Sequence, residues 1–293
     1  MISFQSAPRP EEIRESARHV LFVEGKDENA LDPAILRRLL PDAVSVRALG
    51  SSHNVRSVAQ ALHRHHPEYY FLVDRDHHDD IFVKECWDKF PDPNTSNLLV
   101  WPRRELENYF IIPEYALKSS LLNVREEKLR LTIHACCQRR LFLDAANQLI
   151  VAIGEIQRTP WVELFTLPEE FRTKDAAWAR LLEKVLTARE RAISKQMDKE
   201  AIANLFETKL NELTGGKAIL EFGCGRWLEF LKGKEILPTV VQECFKVVDN
   251  QGKSLQGREK MMEVAKELVR KPLSEQPDDF QRLHKLISDR AKS

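Results

Sequence analysis

The chain has 293 residues, with 45 Lys and Arg balanced by 45 Asp and Glu. At 43% hydrophobic and 31% charged it has the composition of a folded protein, which excludes wholesale disorder. Its length suits two domains, or one with a large extension, burying cores without disulfides or a structural metal.

No apolar run approaches the roughly 18–20 residues that cross a bilayer. The opening MISFQSAPRPEEIRE lacks the apolar stretch of a signal peptide, so a cytoplasmic chain without membrane contact is expected. Cys86, Cys136, Cys137, Cys224 and Cys244 are odd in number and contain no CxxC, which predicts reduced thiols and no zinc site. Neutrality hides an asymmetry. Residues 1–112 hold 14 basic and 18 acidic side chains, a net of −4, leaving 31 and 27, or +4, for residues 113–293. An acidic first part and a basic second part suit a metal centre beside a polyanion-binding surface.

Residues 1–17 are an N-terminal segment. Four short apolar runs follow, at His19–Val23, Ala43–Leu49, Tyr69–Val73 and Asn97–Trp101. Each has strand length and is rich in Val, Leu or aromatic residues. Asn29–Leu40 and Asn54–His65 place apolar residues at helical spacing and are closed by Pro41 and Pro67. Strands alternating with helices predict an α/β fold with a parallel sheet flanked by helices over residues 18–112. From 113 to 293 helical patterns dominate, at Glu126–Gly154, Lys174–Met197, Glu200–Leu213 and Gly257–Arg270, so a mainly helical second domain for substrate, dimer and partner contacts is expected.

The first apolar run ends in Val23-Glu24-Gly25-Lys26-Asp27 and the third in Val73-Asp74-Arg75-Asp76. Parallel strands would bring these acidic ends together at the carboxyl edge of the sheet, where ligands of such folds bind. In extended chain, residues two apart point to the same side, so Asp74 and Asp76 are expected to face one ion. Hard oxygen donors without Cys or a fixed His set favour Mg²⁺ or Mn²⁺. Glu24 either helps to hold that ion or serves as general base toward an attacking water. Gly25 is expected to turn the chain and keep the approach to a phosphate open.

The order V-E-G-x-x-D then D-x-D, each at the end of an apolar strand, resembles the Toprim domain of topoisomerases, primases and OLD-type nucleases. With LFVEGKD at 21–27, GSSHN at 50–54, FLVDRD at 71–76 and RELENYF at 104–110, residues 18–112 more closely resemble the Toprim-like nuclease subunit of the PARIS antiviral system, the AriB-like family. The resemblance implies a metal-dependent nuclease used as a toxin. Its members are held by an ABC-type ATPase partner, dimerise on release and cut host transfer RNA. It also implies Glu24 as catalytic acid/base, Asp74 and Asp76 as metal ligands, and Glu28 or Glu107 completing a second metal site. His77-His78 departs from the family pattern.

Blander readings stand beside these. Strand-end Asp and Gly are common in turns. Glu107 also reads as a surface carboxylate paired with Arg103 or Arg104. Lys26, His77 and Arg104 are the candidate substrate contacts, although a solvated lysine beside acidic residues is the commoner case. The basic stretches at 125–130, 138–140, 189–195 and 232–234 can track an RNA backbone or simply coat solvated helices. No P-loop occurs, so the chain is not expected to hydrolyse ATP. Two alternatives remain: an OLD-like DNA nuclease and a non-catalytic Toprim-fold binding module.

Overall fold

His19–Val23 (β1) and Tyr69–Val73 (β3) are buried at every position, as strands of a parallel sheet covered on both faces must be. The computed structural model describes residues 19–76, 78–92, 94, 96–158, 179 and 199–292. With Val44–Ala48 (β2) and Leu98–Val100 (β4), these strands form a four-stranded sheet in the order β2-β1-β3-β4, and every pairing is parallel. Helices Leu31–Leu39 (α1), Ser52–Leu62 (α2) and Asp80–Lys89 (α3) make the crossovers. Two carry side-chain caps that define their starts: Ser51 accepts from Asn54 N, and Asp79 accepts from Phe82 N.

Beyond β4 the chain forms two short helices, Glu107–Phe110 (α4) and Pro113–Ala116 (α5), then the long helix Glu126–Arg158 (α6). Further helices span Lys199–Thr214 (α7), Trp227–Phe230 (α8), Gly233–Cys244 (α9), Gly257–Val269 (α10) and Asp278–Lys292 (α11). The expected helix at 174–197 lies outside the described residues except at position 179, as do the N-terminal segment 1–17 and His77. All five cysteines are free thiols, and Cys136, Cys137 and Cys244 are buried. No helix among the described residues is long and apolar enough to cross a membrane.

The chain divides into two compact units. One runs to Gln138 and resumes at Leu228; the other is Arg139–Trp227. The first unit takes in residues 228–292, which pack on α1 and on the short helix after β4. Helix α9 packs on α4, and α10 packs on both α9 and α1. An aromatic nest secures the chain after β4. Tyr109 lies 5.2 Å from Trp101 and 4.6 Å from Phe280 of α11, ring centre to ring centre. The Tyr109 hydroxyl, taken out of water, donates to Asp279 at 2.7 Å. In the second unit, Arg140 pairs with the buried Asp144 of the same helix, and Trp227 Nε1 donates to Glu221 O. Trp227 is 1% exposed, a core residue as its apolar context predicts.

Candidate functional site

β1 and β3 are neighbours, with Val23 opposite Leu72, yet β1 leads to β2 on one side while β3 leads to β4 on the other. Such a reversal leaves a crevice outside the carboxyl ends of the two strands. Glu24 and Asp74 are the first residues past those ends. Glu24 Oε1 accepts a hydrogen bond from Asp74 N at 2.8 Å, across 50 positions of sequence. The chain leaving β4 adds Glu105 and Glu107, which are 4% and 5% exposed. Three adjacent strands therefore deliver carboxylates to one edge of the sheet.

Gly25 holds a φ of 151° and exchanges two backbone hydrogen bonds with Gly50, each 2.9 Å long. A Cβ there would lie 2.9 Å from Ala30 Cβ and 3.3 Å from Ala48 Cβ. Glycine thus lets the loop after β1 press against the end of β2, a packing role in place of the open phosphate approach expected from sequence.

The opposite wall comes from far along the chain. Asn108 Nδ2 donates to Leu228 O at 3.1 Å and Leu231 O at 2.8 Å, while its Oδ1 accepts from Glu105 N at 3.1 Å. Gly233 sits so close that a Cβ would fall 2.6 Å from Asn108 Oδ1. This clamp places the first turn of α9. Lys234 N donates to Glu105 Oε2 at 2.7 Å, and Lys234 Nζ donates to Asp74 Oδ2 at 2.5 Å.

The electrostatics follow from many carboxyls meeting one ammonium. Burial, with Asp74 next, raises the Glu24 carboxyl from 4.5 to about 7. Burial raises Glu107 to about 8, with Asp74 and Glu105 adding to the shift and Lys234 opposing it. Burial also lifts Asp74 and Glu105, each pulled back by Lys234. Asp32, in the first turn of α1, is held well above its ordinary value by burial and then by Asp74 and Glu107. Burial disfavours the Lys234 ammonium, but Asp74, Glu107 and Glu105 outweigh that effect and raise it. Two buried oxygens of the cluster, Asp74 Oδ1 and Glu107 Oε2, lack a hydrogen bond of ordinary geometry, with backbone N–H of Leu106 and Glu107 the polar groups near those carboxyls.

The expected site residues separate into two groups. Glu24, Asp74 and Glu107 lie in the cluster, and Asp76 is within electrostatic reach of Glu24 and Asp74. The expectation that Asp74 and Asp76 share a face needs extended backbone. Asp76 instead has a φ of 49°, in the left-handed region, and is exposed while Asp74 is 2% exposed. Glu107 is buried, which corrects its reading as a surface carboxylate.

Glu28, expected as a metal ligand, is engaged elsewhere: its carboxylate pairs with Arg37 and accepts from Ala48 N at 3.1 Å. Arg104, expected at substrate, is 9% exposed, with its guanidinium on Phe230 O at 3.1 Å and its amide on Glu229 O at 2.8 Å. It fastens the segment after β4 to the segment before α9. Lys26 is exposed. His77 lies outside the described residues, and His78 Nε2 meets Arg56 Nη2 at 2.7 Å.

Sequence reasoning missed Lys234, Glu105 and Asp32. Glu105 was visible within RELENYF. Lys234 read as part of a basic stretch that could follow RNA, and Asp32 reads as an ordinary first-turn acid of a helix.

Among the described residues, no three or more His, Cys, Asp or Glu side chains are arranged to hold a metal ion as they stand. Lys234 is the compensating cation at Asp74 in this arrangement. The donor set nevertheless fits a hard divalent ion. All its members are carboxylates, two of their buried oxygens lack a hydrogen bond of ordinary geometry, and a buried oxygen costs about 1–3 kcal/mol or more while it lacks a partner. Comparison with protein families, curated proteins and solved structures gives no match.

Proposed function

We propose that this chain is a Toprim-type, Mg²⁺- or Mn²⁺-dependent nuclease. The observation carrying this reading is the pair of buried carboxylate oxygens on Asp74 and Glu107 without a hydrogen bond of ordinary geometry, beside Glu24 at the carboxyl ends of neighbouring parallel strands. Glu24, Asp74, Asp76 and Glu107 would hold the ion, which when bound supplies Lewis acidity toward a phosphodiester oxygen.

The chain's own groups do the rest. Glu24, at the end of β1 and hydrogen-bonded to Asp74 N, is the carboxylate placed to accept a proton from the attacking water. Lys234, kept charged by the surrounding carboxylates, donates to a phosphate oxygen and stabilises the charge that builds there. Glu105 fixes the backbone of Lys234 at the site, leaving its ammonium to exchange Asp74 for the phosphate oxygen. The likeness to the AriB-like family extends the reading to an antiviral toxin: a homodimer released from an ABC-type ATPase that cuts transfer RNA and stops translation. That extension rests on the motifs alone.

The test is incubation of the purified chain with Mg²⁺ and labelled transfer RNA or plasmid DNA. Cleavage of the RNA, abolished by EDTA and by Glu24→Gln, is the expected result. Cleavage of plasmid alone would transfer the assignment to an OLD-like DNA nuclease. Cleavage of neither would favour a binding module and overturn the proposal.

A further inference from the structure

Two large apolar side chains lie in solvent immediately beyond the D-x-D loop. Ile81 is 72% exposed and Phe82 37% exposed, side by side in the first turn of α3. Single exposed apolar residues need no explanation, but adjacent ones beside a candidate active site do. They are part of a layered arrangement. The His78 ring stacks on Phe82, with centres 4.5 Å apart and planes inclined by 26°. Arg56, from α2, donates to the edge of the same imidazole at 2.7 Å.

Two of the nearby carboxylates are engaged. Asp79 caps Phe82 N at 2.7 Å, and Asp80 is paired with Arg75 at 2.7 Å. Arg75 also donates to His78 O at 2.8 Å and so ties this platform to the loop carrying Asp74 and Asp76. His78 is two positions beyond Asp76, a span of at most about 7 Å. That is short enough for adjoining parts of one nucleotide strand to occupy both places.

We infer that the His78–Phe82 stack, with Ile81 beside it, is a platform for an unpaired base of RNA next to the cleaved phosphodiester, and that Arg56 faces its backbone. This rests on the nuclease reading above and deepens it, since it names single-stranded or looped RNA as the substrate class. A base within a duplex has both faces covered by its neighbours, whereas an unpaired base offers one to an aromatic ring. Stacking of this kind is tolerant of sequence, and the guanidinium adds attraction for the phosphate.

The test is the fluorescence of 2-aminopurine in a short single-stranded RNA, titrated with the full chain in Ca²⁺ in place of Mg²⁺. Quenching on binding is expected, with affinity about ten-fold weaker for Phe82→Ala and retained by Phe82→Trp. The same RNA annealed to its complement should show no dependence on Phe82. Equal affinity of wild type and Phe82→Ala for the single strand, or an equal loss on the duplex, would overturn the platform. Binding of only the deoxy version would overturn the assignment to RNA. Calorimetric titration with Mn²⁺ separates the two levels. Unchanged ion binding in Phe82→Ala is expected. Ion binding together with indifference to Phe82 would sink the platform alone, and absence of ion binding in the wild type would sink the nuclease reading and the platform with it.

Discussion

The ammonium of Lys234 lies 2.5 Å from Asp74 Oδ2 and joins residues 160 positions apart. Asp74 is the buried member, with its side chain 3% exposed against 41% for Lys234. The pair therefore stands between a surface ion pair and a buried one. Lys234→Met should destabilise the chain by about 1–3 kcal/mol, chiefly by leaving Asp74 without a counter-charge. The same change in an Asp74→Asn background should cost less. Urea denaturation of the four chains measures the coupling, and strictly additive costs would contradict the contact.

The raised carboxyls imply a pH dependence opposite to the usual acid loss. Glu24 and Glu107 move from 4.5 to about 7 and about 8 in the folded chain. Within that window the folded chain binds protons that the unfolded chain has released, so stability falls as pH rises. Scanning calorimetry in EDTA should show the melting temperature declining from about pH 5 to about pH 8. Glu24→Gln should reduce the slope up to about pH 7, and Glu107→Gln should reduce it throughout and remove most of what remains above about pH 7. A melting temperature that rises across the window in the wild type would contradict the burial of these groups.

Asn108 and Gly233 form the hinge of the second wall. Asn108→Ala leaves two backbone carbonyls and the Glu105 amide without their partner, an expected loss of about 1–3 kcal/mol. Gly233→Ala drives a methyl into Asn108 and should cost a similar amount, about 1–3 kcal/mol. Both should also lower Mg²⁺-dependent cleavage through misplacement of Lys234. Thermal melts checked beside cleavage rates test this, and a fully active, fully stable Gly233→Ala would refute the close approach.

Glu28 and Glu107 offer a direct discrimination, because both are candidate metal ligands on sequence grounds. Glu107 lies in the carboxylate cluster with Asp74, Glu105 and Lys234, whereas Glu28 accepts from Ala48 N and lies against Arg37. Calorimetric titration with Mn²⁺ should show Glu107→Gln binding about 10–100-fold more weakly and Glu28→Gln unchanged. The reverse ranking would move the ion to the other side of Glu24.

The sheet was legible in the sequence because its strands are short, apolar and bounded by turns; His19–Val23 and Tyr69–Val73 coincide with strands of those limits. Glu24 and Asp74 were legible for the same reason, since a parallel sheet brings its strand ends together whatever their separation in sequence. Three features escaped. The partnership of Lys234 depends on a clamp made by Asn108 more than 100 residues earlier, and no local pattern encodes it. Asp76 departs from strand alternation through one left-handed φ. Arg104 and Glu28 have the residue types of a site, but the folding of 228–234 and of α1 directs them into structural contacts.

The proposed divalent cation sits among carboxylates at the ends of β1, β3 and β4. Crystals grown with Mn²⁺ and measured at its absorption edge test this most directly. An anomalous peak is expected within bonding distance of Asp74 and Glu24, with Glu107 beside it and Lys234 drawn off Asp74. A peak placed elsewhere, or none at Mn²⁺ concentrations that saturate the protein in solution, would contradict it.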